Sequence, residues 1–187
     1  MTLLLVTGPA EEPVTLEEAR AHLRLDATAE DGLLAALITA ARGALEGQTS
    51  RAFVTQSWRL VLNQWPGAEV TLPLAPVSAV TAVTLHDADG DRSVASSSYE
   101  VSLDGDAPCL ASVAGWPAPT RRIGGVSIDF IAGYGAAAAV PQPLKLAILL
   151  LATHWFENRE PVSLGETGRE LPLGVASLVA PYRRVHL

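Results

Sequence analysis

The chain has 187 residues, a formal net charge of −7 and a pI near 5.0; 49% of its residues are hydrophobic and 18% are charged. This composition excludes a largely disordered chain, and the length suits one domain, or one domain with a modest insertion. The acidic balance argues against a protein that grips phosphates through a basic face, but leaves room for a surface that DNA slides past without sticking. Cys109 is the only cysteine, so neither an internal disulfide nor a cysteine zinc site can form, which suits folding in a reducing, cytoplasmic setting. Met1 to Pro9 has no basic residue, and its apolar run is too short for a signal peptide. The apolar surplus points to a subunit interface, because monomers rarely leave large apolar patches bare.

Thr15-Leu16-Glu17-Glu18 is a capping box ahead of a short helix to about Leu25, with Leu16, Ala19 and Leu23 on one face. Thr28 or Asp26 is the next N-cap candidate. A long helix then runs to about Glu46 on the stripe Leu33, Leu34, Leu37, Ile38, Ala41 and Leu45, with Gly47 as its stop.

The period then changes to two. Val54 to Asn63 reads as a strand with Trp58, Leu60 and Leu62 on one face. Val70 to Leu74, Val80 to His86, Tyr99 to Leu103 and Gly125 to Ile131 read likewise, the last with Val126, Ile128 and Phe130 together. Asp89-Gly90 is a hairpin-turn signal between Leu85 and Val94. Pro73, Pro76, Pro108, Pro117 and Pro119 keep these strands short or at edges.

After Gly133-Tyr134-Gly135 and an alanine run, Val140-Pro141-Gln142-Pro143 opens a helix from Leu144 to about Asn158 that is apolar nearly all round. Such a helix is central to a core or shared with a neighbour, and at 13 residues the apolar block Leu144 to Phe156 is too short to span a bilayer. A polar loop from Glu160 to Glu170 precedes Leu171-Pro172-Leu173-Gly174 and a short helix, Val175 to Ala180, ended by Pro181.

Chemical motifs are sparse. His22, His86, His154 and His186 share no metal-binding spacing, and each reads more simply as a surface or core residue. Asp87-Ala88-Asp89-Gly90-Asp91 resembles a calcium loop, but its glycine comes two residues early and Ser98 stands at the closing position, so a polar hairpin tip is the plainer reading. Gly133-Tyr134-Gly135 with Ala138 echoes a dinucleotide loop, interrupted by Pro141 and Pro143. No catalytic, cofactor-binding or metal-ligating residue is assigned.

The ordered set of segments carries more information than any one of them. Glu12-Pro13-Val14-Thr15-Leu16-Glu17-Glu18-Ala19 precedes the helix around Asp31 to Leu45. Then come Thr55-Gln56-Ser57-Trp58-Arg59-Leu60 and Leu72-Pro73-Leu74-Ala75-Pro76-Val77. Ile131-Ala132-Gly133-Tyr134-Gly135 leads to Val140-Pro141 and the helix ending His154-Trp155-Phe156-Glu157-Asn158-Arg159-Glu160. Leu171-Pro172-Leu173-Gly174-Val175 and Ala180-Pro181-Tyr182-Arg183 close the series. From about Pro9 to Arg184, this order resembles the phage head–tail connector (adaptor) family, in the branch with a β-rich insertion that includes gene-transfer-agent adaptors.

The expected fold is therefore α+β, a helical bundle with an inserted small antiparallel β-sheet. It forms one connector domain over 1–187, with helices at about 15–47 and 143–159, the insertion at about 53–132, and a short helix and tail at 172–187. The resemblance implies a ring, usually of twelve copies, beneath the capsid portal of a virion or virus-like particle assembled in the bacterial cytoplasm. The ring extends the DNA channel without specific DNA binding and meets the stopper, with no membrane and no cofactor. By position, Pro181, Tyr182, Arg183, Arg184, Val185, His186 and Leu187 are expected to engage the portal. Leu146, Leu150, Trp155 and Phe156 are expected at the subunit interface, where Tyr, Trp and Arg are common anchors. Two alternatives stand beside this. A stopper or tail-terminator is expected to be mainly β, so the two N-terminal helices favour the adaptor. A small assembly-associated hydrolase needs converging titratable groups that no motif supplies.

Overall fold

The computed structural model describes residues 1–25, 28–158 and 173–184. Among these the chain is mixed α+β, with four α-helices and two antiparallel sheets, and it divides into two compact units. Met1–Ala10 and Thr55–Tyr134 form a β unit; Glu11–Val54 and Gly135–Leu187 form a helical one.

The β unit contains β1 (Thr2–Thr7), β2 (Gln56–Leu62), β3 (Glu69–Thr71), β4 (Val77–Asp87), β5 (Gly90–Ser93), β6 (Tyr99–Ser102), β7 (Cys109–Ser112) and β8 (Val126–Ala132). One sheet has the order β1-β2-β8-β4-β5 and the other β3-β7-β6. Alternation puts alternate residues on the core face. Ile128 pairs with Leu60 on one side and Val83 on the other, and Val126 with Leu62 and Leu85. All six are buried. The faces expected for β2 and β8 are the ones observed.

Where one sheet was expected there are two. β3 stops at Thr71, short of Leu74, because Pro73 offers no ladder donor. β4 begins at Val77 rather than Val80 and absorbs register shifts between Val77 and Ala79 and between Val80 and Ala82. The hairpin signal holds: Asp87 pairs with Gly90, and β5 returns along β4. β1 and β7 were not foreseen. Leu3-Leu4-Leu5-Val6 does not alternate, and β1 is an edge strand that buries neither face.

The helical unit contains α1 (Leu16–Leu23), α2 (Asp31–Thr49), α3 (Gln142–Glu157) and α4 (Leu173–Val179). The capping box of α1 forms as expected. Thr15 Oγ1 accepts from the Glu18 amide at 3.1 Å, and Glu18 Oε2 accepts from the Thr15 amide at 2.7 Å. α2 begins later than Thr28; Glu30 sits at its N-cap without a side-chain capping hydrogen bond, and Asp26 lies outside the described residues. Gly47 does not stop it. Leu34, Ile38, Ala41, Leu45 and Thr49 continue the buried stripe, and Ser50 makes the left-handed cap at φ 52. α3 buries Leu144, Ala147, Ile148, Leu151, Ala152 and Phe156. α4 ends in a 3₁₀ turn, Ala180–Tyr182, which passes through Pro181 rather than ending at it.

A charged clamp fixes the start of this unit to α2. Arg42 pairs with Glu12 at 2.7 Å and with Glu46 at 2.7 Å. Glu46 Oε1 also accepts from the Phe53 amide at 2.7 Å, and Thr39 Oγ1 donates to Glu12. Burial disfavours the Arg42 charge, but the Glu12 hydrogen bond and the Glu46 charge outweigh it, so its pKa rises above the ordinary value. Replacing Arg42 with Ala leaves two carboxylates facing each other with no cation between them. The expected cost is about 2 kcal/mol or more. Denaturant titration reads this directly, and an unchanged midpoint and slope would show that the clamp contributes nothing.

Candidate functional site

The structure does not bring Leu146, Leu150, Trp155 and Phe156 to one surface. Phe156 joins the core stripe, Leu150 and Trp155 are half-buried, and Leu146 is 42% exposed. Helical spacing puts Leu146, Leu149, Leu150 and Thr153 on the side of α3 opposite Leu144, Ile148 and Leu151. The helix that reads as apolar all round is thus a core face backed by an outer apolar stripe. Leu146 and Leu149 join Val14, Pro143 and Leu178 along a groove of about 410 Å³, which Glu18 and Lys145 also line.

The C-terminal segment is tied down as far as Arg184. Arg51, at the end of α2, donates from Nε to the Tyr182 carbonyl at 2.7 Å, and Arg183 reaches Gln48 at 3.3 Å. Pro181 and Arg183 are exposed; Tyr182 and Arg184 are half-buried. Val185, His186 and Leu187 lie outside the described residues, as does the expected loop from Glu160 to Glu170.

The outer face of the five-stranded sheet carries a polar ladder that no motif announced. Arg59 grips Asp129 with two bonds, of 2.6 and 2.8 Å, and the hydrogen bond and charge of Asp129 raise the arginine pKa. Two residues along β8, Ser127 Oγ lies 3.0 Å from His86 Nε2, and His86 Nδ1 lies 2.7 Å from Asp91 Oδ1. One tautomer satisfies both contacts: Nδ1–H donates to Asp91, and Nε2 accepts from the Ser127 hydroxyl. The connectivity is that of a Ser–His–Asp relay, but a nucleophile must meet its substrate. Ser127 is only 3% exposed, so an acyl carbon has no approach to its Oγ. The three residues act as a cross-strand tie between β8, β4 and β5. The turn signal alone places His86 opposite Asp91; Ser127 enters only once β8 is known to pair with β4.

At one end of the β unit, Trp65 and Trp116 stack with centroids 4.0 Å apart and planes at 11°, and Tyr99 tilts against Trp116 at 6.0 Å. Trp65 Nε1 donates to the Pro117 carbonyl and Trp116 Nε1 to the Ala68 carbonyl. The pair lines a groove of about 810 Å³ together with Asn63, Thr120, Arg121 and Arg122. Asp87 secures the far wall. Its Oδ1 accepts from the Thr120 amide at 2.7 Å and the Thr120 hydroxyl at 3.0 Å, and its Oδ2 accepts from Arg92. These donors, the Thr120 amide first, hold the Asp87 pKa below its ordinary value. The supposed calcium loop therefore uses Asp87 and Asp91 on its own chain. Among the described residues, no group of three or more His, Cys, Asp or Glu is placed to share a metal ion, and no helix is long and apolar enough to cross a membrane.

The described residues thus present surface grooves, an apolar helix face and a polar sheet face on an α+β chain. The head completion protein family matches residues 12–185, and the chain belongs to that family. It is also similar to solved chains from gene transfer agent particles. A chain in the neck of an empty particle, computed with C6 symmetry, is 36% identical with a TM-score of 0.85. One in the virion of a native particle is 35% identical with a TM-score of 0.85, and one in a native neck computed with C12 symmetry is 34% identical with a TM-score of 0.82. Each alignment covers 100% of this chain and 97% of the other. No curated protein matches.

Because folding lowers the Asp87 pKa, the carboxylate's contribution is present above the ordinary carboxylate range near pH 4 and is lost as pH falls through the depressed folded-state value. Hydrogen exchange at the Thr120 amide, corrected for its intrinsic rate, is expected to lose protection over that acidic window. Asp87→Asn removes the titration, so equal acid sensitivity in that variant would assign the effect to another group.

Proposed function

We propose that this chain is the adaptor of a particle neck: a structural, non-catalytic subunit that forms a ring, with twelve copies favoured, beneath the portal. The ring extends the DNA channel and presents a surface to the stopper. In this reading the helices act as one bundle and the strands as its insertion, together a single connector domain over 1–187. The observation that carries the proposal is full-length similarity, at 36% identity, to a chain of a gene transfer agent neck. The C12 and C6 symmetries of the related necks support a ring. Two helices, α1 and α2, occupy the N-terminal third after β1, which favours an adaptor over a mainly β stopper. A charge of −7 suits a wall past which DNA must slide.

The outer stripe of α3, with Leu146 and Leu150, is the proposed apolar contact between copies, with Trp155 and Phe156 behind it. Pro181 to Leu187 are the proposed portal contact. Electron microscopy of purified particles tests the role: a ring of this chain is expected in the neck, and its absence from intact particles overturns the reading. Tyr182 cannot be removed innocently, since its carbonyl accepts from Arg51. Deleting Val185 to Leu187 alone is expected to leave the melting temperature unchanged and to abolish portal docking; undiminished particle yield removes the portal assignment. Leu146→Asp is expected to shift the melting temperature by no more than a few degrees, because Leu146 is already partly exposed in the free chain. The same substitution is expected to reduce ring formation by about tenfold or more. A full complement of rings would take α3 out of the interface.

A further inference from the structure

An antiparallel strand turns the N–H and C=O of alternate residues to one neighbour and those of the residues between to the other, so an edge strand leaves every second residue open. The outer strands here are β1 and β5 in the larger sheet and β3 and β6 in the smaller. Bonds just beyond the ladders fix which residues face out. The His86 amide donates to the Gly125 carbonyl, so β8 turns Ser127 to β4, and Val126 and Ile128 to β2. β2 then meets β8 through Leu60 and Leu62, and β1 through Arg59 and Val61. These two pair with Leu4 and Thr2, which leaves the backbone groups of Leu3 and Leu5 on the open edge. On the smaller sheet the Val113 amide donates to the Ser98 carbonyl, so β7 holds β6 through Glu100 and Ser102 and leaves Tyr99 and Val101 facing out. By the same alternation β5 turns out Asp91 and Ser93, and β3 turns out Glu69 and Thr71.

The edges differ in kind. β5 and β3 present a carboxylate residue each, the sort of charge that discourages strand addition. β1 has no such guard: Met1 to Ala10 contains no charged residue. Leu3 and Leu5 lie opposite Leu60 and Trp58, on the core face, yet Leu5 is 51% exposed. β6 is its match. Val101 lies opposite the buried Leu110 and is 39% exposed, while Glu100 belongs to the other face. The register shift after Leu5 limits the usable edge of β1 to Thr2 through Leu5, and β6 runs from Tyr99 to Ser102. The open backbone groups of Leu3, Leu5, Tyr99 and Val101 have no hydrogen-bond partner among the described residues.

The geometry points to strand addition between neighbouring copies: β1 of one chain pairs antiparallel with β6 of the next, Leu3 opposite Val101 and Leu5 opposite Tyr99. This rests on the ring reading above. In that register each opposed pair exchanges both of its backbone bonds, whereas a parallel pairing leaves end groups open. The same register sets the apolar side chains of the two strands side by side, so the core face of one sheet continues into that of the next copy. Two different edges on one chain meet the head-to-tail demand of a cyclic assembly; pairing β1 with β1 would close at two copies.

Cross-linking in purified particles tests this. Residues opposed in a bonded pair have Cα atoms about 5.5 Å apart, within reach of a disulfide. With Cys109→Ser as background, chains carrying both Leu3→Cys and Val101→Cys are expected to give a ladder of covalent multimers on oxidation, and chains carrying either cysteine alone are not. Normal incorporation of the double-cysteine chain without multimers overturns the contact, and a link from position 3 to a different protein overturns it and assigns the edge to that protein. Leu3→Pro and Val101→Pro form a second arm. Each removes an outward N–H and spares the bonds to β2 or β7, so melting of the free chain is expected to shift by a few degrees at most, while copies per particle fall by about tenfold. Normal incorporation of either proline variant also overturns the contact, and each arm decides alone where the variants of the other do not fold. Absence of the unmodified chain from particles is a separate result, which refutes the ring reading itself.

Discussion

Strand β8 is paired on both edges at once, and that double registration orders the β unit. β2 and β4 read the same residues of β8 from opposite sides. A slip of one residue on either side would turn Val126, Ile128 and Phe130 toward solvent and bring Ser127 and Asp129 inward. The register that builds the core therefore also builds the outer polar face, where Arg59 meets Asp129 and His86 meets Ser127. It reaches the groove as well. A Cβ on Gly125, the residue before β8, would stand 2.5 Å from the Arg121 carbonyl and 2.9 Å from the Asn63 carbonyl. Only glycine allows the loop bearing Arg121 and Arg122 to lie so close to the strand. Asp87 then holds the next residue of that loop, Thr120, from the end of β4.

In the helical unit the ordering element is the amphipathic match between α2 and α3, whose buried stripes face a common core. α3 has more apolar surface than this core takes up. Leu146, Leu149 and Leu150 lie outside the buried stripe, and β1 similarly exposes Leu4, Leu5 and Val6 in the other unit. Side chains of this size gain about 1.5–3 kcal/mol each on full burial. A part that functions only inside a larger assembly can leave that gain for its neighbours to collect.

Local signals in the sequence translated well. The Thr15–Glu18 box, most of the α2 stripe (Leu33 is exposed), the β2 and β8 alternation and the hairpin signalled by Asp89-Gly90 (its turn falls on Ala88-Asp89, with Gly90 opening β5) depend on residues a few positions apart, and the structure contains each of them. Signals that depend on distant pairing did not. β1 lacks alternation because it has no buried face, and β7 is four residues whose only reason to be extended is the partners at 69–71 and 99–102. The same limit hid the sites. Trp65 and Trp116 are separated by most of the insertion, and Ser127 is joined to His86 only by the β4–β8 pairing. On α3 the sequence shows that leucine is abundant but not which leucines lie outward, since a helix apolar on both sides has no periodic signature to assign its faces.

In the proposed neck role the chain would have to adhere to its neighbours and let DNA pass, and its charges would have to serve both demands. Here half of the ten described arginines are held by their own chain in these contacts: Arg20 with Asp31, Arg42 with Glu12 and Glu46, Arg59 with Asp129, Arg92 with Asp87, and Arg51 on a backbone carbonyl. Such pairing withdraws these cations from a phosphate and leaves the excess of acidic groups to set the long-range field. At physiological ionic strength that field decays over about 8 Å, so it repels a polyanion at the wall without governing contacts deeper in a groove. Arg121 and Arg122 line the groove beside the stacked tryptophans, are exposed, and have no carboxylate partner among the described residues, so in that role they would offer short-range cationic contacts within an acidic field. Under the proposed role, adhesion and release would be separated by the range of the interactions, short-range contacts against a long-range acidic field, and not by opposite net charges.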